Sequence, residues 1–180
     1  MADLETPPPA GYARPEGLFI PSAADLRATL RFGPECWRKA GYVYDDDALP
    51  PGPVLQRSLE LMHTDAAHTT WYAPRWFLDC TGLVIVGSGA CKNHLHDPAG
   101  VEIGYGVAAR HQGRGHATRG VRALVQELFT HPAVQVIFAT VLPSNLASQR
   151  VLAKCGFRPH GRVNDLEDGW LDRHEIRRQV

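Results

Sequence analysis

No two cysteines in this chain stand close enough to clip a metal ion or form a redox couple. Cys36, Cys80, Cys91 and Cys155 are widely spaced, with no Cys-x-x-Cys pair. That spacing argues against zinc ribbons and thioredoxin-like chemistry, and reduced thiols are the plain expectation. Excess charge of either sign is also missing. Lys plus Arg total 19, Asp plus Glu total 19, and the formal net charge is +0. A balanced chain has no long-range field to hold nucleic acid or an anionic bilayer, so neither is expected as a partner. No apolar run approaches the roughly 20 residues of a membrane span. The start, MADLETPPPAG, has neither the basic nor the apolar region of a secretory signal. A cytoplasmic protein is the reading that fits these absences.

What is present is enough for one domain. The chain has 180 residues and is 44% hydrophobic, which supports a buried core. Residues 1–16 are rich in Pro and Gly and read as a loose tail. Ser22 to Asp25 forms a capping-box pattern, so a short helix from Ala23 to about Arg31 should follow. Asp45 to Pro53 reads as a loop, because three like charges repel and prolines forbid regular structure. A second helix is predicted over Val54 to His63. From Trp71 the pattern turns β-rich, in two runs separated by Thr81-Gly82, as in a hairpin. The next strand, Val101 to Ala108, alternates: Val101, Ile103, Tyr105 and Val107 share one face, and Glu102, Gly104 and Gly106 the other. Ala117, Val121, Leu124, Val125, Leu128 and Phe129 then make one stripe of a helix that ends at His131-Pro132. Val134 to Leu142 is apolar nearly throughout, as in a strand buried on both faces. A helix over Leu146 to Lys154, closed by Gly156, and a final antiparallel pair complete a mixed α/β (α+β) domain on a largely antiparallel sheet.

Between the alternating strand and its helix lies ARHQGRGHATRG, Ala109 to Gly120. A strand that runs through a glycine turn into a helix can seat phosphate. The first helical N–H groups have no partner within the helix, and the helix dipole adds partial positive charge there. Glycine lets the backbone approach an anion. No Ser, Thr, Asp or Asn among Gly113, Arg114 and Gly115 is available to cap the helix, so a diphosphate could satisfy those donors instead. An ordinary left-handed turn accounts for the same glycines. The stretch is not a P-loop, since no Gly-Lys-Ser/Thr follows. It is not the dinucleotide fingerprint either, because the third glycine falls at Gly120.

Gln112-x-x-Gly115-x-Ala117 resembles the (Gln/Arg)-x-x-Gly-x-(Gly/Ala) segment of the GNAT superfamily of N-acetyltransferases. Two further stretches agree in order and spacing. VEIGYGVA, from Val101 to Ala108, looks like the fourth strand of that fold. LPSNLASQRVLAKCGF, from Leu142 to Phe157, looks like its Asn-x-x-Ser helix and the Gly-Phe that follows. The resemblance covers residues 71–178 and is nearest to the RimJ/RimL-type branch. It implies a twisted, largely antiparallel sheet flanked by helices and splayed between the fourth and fifth strands, with acetyl-CoA in the splay. By position, a bulge in the fourth strand would free main-chain groups, and Tyr105, Gly106 and Val107 would pair with the pantetheine arm. Gln112 opens the matched segment and is counted among the residues that would bind the cofactor. Gly113, Arg114, Gly115, His116, Ala117 and Thr118 would wrap the pyrophosphate. Asn145 would bond the CoA arm and could also cap its own helix.

The implied chemistry is direct acyl transfer to a primary amine, of a protein N-terminus or a small molecule, in a ternary complex. Glu102 is the candidate base that takes the amine proton; a solvent-facing strand glutamate is the alternative. The Val107 N–H is placed to stabilise the oxyanion. A Tyr that serves as general acid in many relatives, seven residues after the Asn, is Leu152 here. A Glu that some relatives carry five residues before the Asn is Thr140 here. Ser148 is left as the donor to the departing thiolate. A non-catalytic acyl-CoA sensor of the same fold is the competing reading. Cys91, His94 and His96 lack a fourth ligand at zinc spacing, so no metal is expected. A homodimer would use edge strands or the final hairpin.

Overall fold

The computed structural model describes residues 12–13, 17–33, 35–45 and 47–179. The strands are β1 (Tyr12–Ala13), β2 (Leu18–Ile20), β3 (Val43–Tyr44), β4 (Arg75–Leu78), β5 (Val84–Cys91), β6 (Val101–Val107), β7 (Val136–Val141), β8 (Arg158–Asp165) and β9 (Gly169–Arg177). The helices are α1 (Ala23–Phe32), α2 (Glu35–Lys39), α3 (Gly52–Thr64), α4 (Thr69–Tyr72), α5 (His116–Leu128) and α6 (Leu146–Lys154). The strands form one sheet in the order β1-β2-β4-β5-β6-β7-β9-β8, with β3 added beside β5. All pairs are antiparallel except β6 with β7 and β3 with β5.

The loose-tail expectation for residues 1–16 lies outside the described residues except at Tyr12–Ala13, which pair with β2. Three sequence expectations are corrected. Trp71 and Tyr72 are not strand but close the short helix α4, which ends before Ala73-Pro74. The loop expected to reach Pro53 stops at Pro51, because proline is tolerated in the first helical turn, where its missing N–H costs nothing. The long helix α5 also ends at Leu128, three residues short of His131.

Neighbouring residues of β4 show how the layers divide. The Trp76 ring meets Trp37 of α2 edge to face, with centroids 5.9 Å apart. Phe77, pointing the other way, packs with Leu18, Val86 and Ala123 of α5. So the N-terminal helices cover one face and α5 the other. Helix α5 sits very close to the sheet: a Cβ on Gly120 would stand 2.3 Å from the Phe77 ring, and one on Gly89 2.8 Å from it. A buried pair fastens the same contact. Arg75 of β4 donates from Nε and NH2 to the two carboxylate oxygens of Glu127 at 2.8 and 2.7 Å. Trp71, Tyr72, Trp76 and Phe77 are all fully buried in this core, so none of them lines an open cleft.

Candidate functional site

Strands β6 and β7, the pair matched to the fourth and fifth strands of the fold, bond only at Val101↔Ile137 and Glu102↔Phe138. Beyond that point β6 stays with β5, from Ile103 to Val107, while β7 follows β9 along its whole length. A gap therefore opens between them, closed at Glu102 and widening toward Val107. The expected bulge in β6 is absent. Its register against β5 runs without a shift from Ile103 to Val107, and it is the departure of β7 that frees main-chain groups. Lys92 donates to the Glu102 carbonyl and Ala108 donates to the Val86 carbonyl. By the alternation of an antiparallel pair, even-numbered residues of β6 bond β5 and odd-numbered ones face the gap. Tyr105 and Val107 thus turn their main chain to the opening. Gly106, paired with Ser88, turns its main chain to β5 and offers the opening only a bare surface.

At the wide end the chain turns through Gly113 (φ +73°) and Gly115 (φ +80°) into α5. Both lie in the left-handed region, where a side chain is strained, so the local fold calls for glycine at each. Gly115 is the N-cap, and it supplies no side-chain bond. The first intrahelical bond is Arg119 N–H to the Gly115 carbonyl at 3.0 Å. Among the described residues, no acceptor meets the N–H groups of residues 113–118. Gln112, Gly113, Arg114 and Gly115 are exposed, and His116, Ala117 and Thr118 are half-buried. The side chain of Gln112 turns back and donates from Nε2 to the Val107 carbonyl at 3.1 Å, which fixes the corner against the strand.

The corner is cationic. Arg119 donates to Nδ1 of His116 at 2.7 Å. Burial, then Arg119, His111 and Arg114, hold the His116 ring below the usual imidazole range. The nearby carboxylates are engaged elsewhere: Asp45 pairs with Arg110 and His111, and Asp47 accepts from the Ala109 N–H. So the acidic loop braces the turn from behind and leaves the row of N–H groups open.

Across the gap, Asn145 caps α6, its Oδ1 accepting from the Ser148 N–H at 3.1 Å. The Tyr105 hydroxyl, pushed up to about 12 by burial, donates to the Ser148 carbonyl at 3.2 Å. This bond ties β6 to α6. The Ser148 hydroxyl has no partner among the described residues. Leu152 is fully buried in the core.

Glu102 lies on the opposite side of the sheet. Gly89, whose Cβ would touch Leu124 of α5, stands across from Tyr105, so Tyr105 faces α5 and Glu102 faces away from it. Its Oε1 accepts from Lys92 Nζ at 2.8 Å and from Thr140 Oγ1 at 2.8 Å. Lys92 and this use of Thr140 were missed in the sequence. The pairing joins residues across two strands, and only the hairpin register, absent from any local pattern, could have signalled it. Cys91, His94 and His96 go separate ways: the thiol is buried and pushed up to about 12 by that burial. His94 meets the Tyr72 hydroxyl at 2.8 Å, and His96 lies edge-on to His68.

A parallel pair thus splits beside an uncapped helix start, leaving a gap with open main-chain donors near its wide end. A family profile, the acetyltransferase (GNAT) domain, matches residues 21–158, and the chain belongs to that family. It is similar to the probable N-acetyltransferase YjcK of Bacillus subtilis strain 168, 38% identical over 76 residues, or 41% of this chain and 42% of that protein. It is also similar to the uncharacterized N-acetyltransferase p20 of Bacillus licheniformis, 32% identical over 81 residues, or 44% and 46%. The matched stretch spans less than half the length of either curated relative. Among solved structures, the ribosomal-protein-S5-alanine acetyltransferase of Vibrio fischeri superposes with a TM-score of 0.61 at 18% identity, covering 89% of this chain and 91% of that one. Aminoglycoside acetyltransferase AAC(6')-Ib, in complex with coenzyme A, gives 0.59 at 21% over 89% and 94%. A spermidine N-acetyltransferase chimera from Vibrio cholerae gives 0.59 at 17% over 89% and 93%. These likenesses establish the shared fold.

Proposed function

We propose that the chain is an acetyl-CoA-dependent N-acetyltransferase that moves an acetyl group to a primary amine by direct attack in a ternary complex. The observation that carries this reading is the open row of N–H groups at residues 113–118, set at the mouth of the β6/β7 gap. Six unpaired donors and two arginines fit a diphosphate. The free main chain of Tyr105 and the N–H of Val107, whose carbonyl already accepts from Gln112, fit the amides of a pantetheine arm, which would lie in the gap as a missing strand. The Nδ2 group of Asn145, whose Oδ1 is used as a cap, would bond the same arm.

The acceptor amine approaches from the face of β6 opposite α5, where Glu102 takes its proton. Thr140 supports this assignment: the position where some relatives carry a glutamate here hydrogen-bonds to Glu102, so a carboxylate occupies the same place from the neighbouring strand. The Val107 N–H is the donor for the developing oxyanion. As the carbon–sulfur bond breaks, the Ser148 hydroxyl donates a hydrogen bond to the departing thiolate, which takes up the proton the attacking nitrogen sheds. The similar structures named for aminoglycosides, spermidine and a ribosomal protein all have amine acceptors. A RimJ/RimL-type role, with an N-terminal amine as acceptor, belongs to this proposal, as does a small-molecule amine.

The test is a panel of N-terminal peptides, polyamines and aminoglycosides with acetyl-CoA, scored by thiol release and by acetylation of the amine. Turnover of at least one amine supports the reading. The buried Leu152, in place of an acid, favours the sensor alternative, and the same assay separates the two. Tight acetyl-CoA binding without thiol release for any amine would leave a binding module.

A further inference from the structure

We propose that Lys92 is a self-acetylation site: with donor bound and no acceptor present, its own Nζ receives the acetyl group. The proposal rests on the acetyltransferase reading above. The chain has three lysines, Lys39, Lys92 and Lys154. Lys39 ends α2 and Lys154 ends α6, and both are exposed. Among the described residues neither makes an ion pair with a carboxylate, whereas Lys92 ends on Glu102 at 2.8 Å.

Three observations put that nitrogen in an acceptor's position. First, Glu102 also accepts from Thr140 of β7, so the amine stands over the line where β6 and β7 last pair, at the closed end of the gap. Second, the Lys92 chain runs along the acceptor face of β6: a Cβ on Gly104 would lie 3.1 Å from Lys92 Cε. The next residue is Tyr105, whose main chain opens into the gap. Third, the backbone of Lys92 is pinned, its N–H donating to the Glu102 carbonyl at 2.8 Å, while its side chain is 51% exposed. Any acceptor amine must put a nitrogen on Glu102 beside the gap, and Lys92 already does so.

The step balances with acetyl-CoA alone. Glu102 takes one proton from the ammonium, and the neutral nitrogen attacks the thioester carbonyl carbon. A carbon–nitrogen bond forms, the carbon–sulfur bond breaks, the second proton shed by the nitrogen goes to the sulfur so that coenzyme A leaves as the thiol, and Glu102 releases the first proton to solvent. The resulting acetyl-lysine is neutral and cannot pair with Glu102, so the reaction also clears the base for an incoming amine.

The experiment incubates the full chain with acetyl-CoA and no amine, and follows acetyl occupancy at all three lysines by peptide mass spectrometry. Parallel samples contain the amine panel. Lys92 should fill at least about a hundredfold faster than Lys39 and Lys154, the lower end of what a positioned base contributes. Glu102→Gln should remove that lead and leave the slow background at the other two. Lys92→Arg, which keeps the cation, should abolish the fast modification. The half-time should not change on dilution, since the nitrogen lies on its own Glu102. Equal rates at the three lysines, or a half-time that lengthens on dilution, would overturn the proposal. So would turnover of an external amine in the parallel samples with Lys92 unmodified in the amine-free one, and that outcome leaves the acetyltransferase reading standing. Absence of thiol release in every sample would sink both.

Discussion

One carboxylate oxygen, Glu102 Oε1, holds both Lys92 and Thr140, so the group proposed as base sits in a fixed place. Glu102→Gln keeps the shape and loses the proton acceptor. It should lower kcat by about 10²–10⁴-fold, while the dissociation constant for coenzyme A, measured by calorimetry, stays within a few-fold. A comparable kcat in this variant would remove Glu102 from the mechanism. His116 gives a prediction of a different kind. Burial, with Arg119, His111 and Arg114, lowers its affinity for a proton, and its ring accepts a bond from Arg119. A depressed folded-state pKa favours the fold above the unfolded value, near 6.5, and that contribution is lost as pH falls below it. A bound diphosphate would offset the cations and restore the proton affinity. Binding should then take up part of a proton near pH 6.5, and affinity should rise as the pH falls. Calorimetry in buffers of different ionisation enthalpy measures the uptake. The informative quantity is the difference from His116→Gln, because the ligand's own phosphate titrates in the same range. Equal uptake by the two proteins would exclude His116 from the seat.

At the scale of the element, the placement of α5 depends on residues with no side chain. Phe77 is pinned between Gly89 and Gly120, so its ring cannot retreat from an added methyl. Gly120→Ala gains about 1 kcal/mol of helix propensity and loses about 1–3 kcal/mol to overpacking. The second effect wins because the neighbour is a rigid ring buried on both sides. The variant should melt a few degrees lower, and a melting temperature at or above that of the unmodified protein would refute the close approach. The sequence showed such elements where the signal is local. The Ser22–Asp25 box forms both of its bonds, Asn145 caps α6, and Gly156 takes φ +91°. The uncapped corner was legible for the same reason, since glycine spacing and a missing cap are facts of a few adjacent residues. Strands β2 and β3 were not legible. Two or three residues carry no period, and such pieces exist only through their partners. Trp71 and Tyr72 read as strand because aromatics favour sheets, yet here they close a short helix under tertiary packing. The Lys92–Glu102 pair, 10 residues apart across a hairpin, and the Arg75–Glu127 pair, 52 apart, are set by register and by docking, which no window of sequence contains.

The whole molecule depends on that second pair. Arg75 is fully buried and Glu127 nearly so. The guanidinium grips both carboxylate oxygens and also donates to the Trp71 and Ala73 carbonyls. One partner stands on β4 and the other on α5, so the pair joins the layer that carries the glycine corner to the centre of the sheet. Taking both charges out of water is costly, so the pair adds little net stability compared with apolar residues of the same volume. Breaking it is a different matter, because a buried charge stripped of its counter-charge keeps the full cost of desolvation with less to offset it. Glu127→Leu should therefore cost about 3–5 kcal/mol, lowering the melting temperature by roughly 6–20 °C at about 2–4 °C per kcal/mol for a chain of this size. The double replacement Arg75→Met with Glu127→Leu should recover much of that loss, because it leaves no charge stranded. If the single and double variants melt at the same temperature, the cost lies in lost packing and not in a guanidinium that has lost its counter-charge. If Glu127→Leu melts like the unmodified protein, α5 is not held to the sheet in this way.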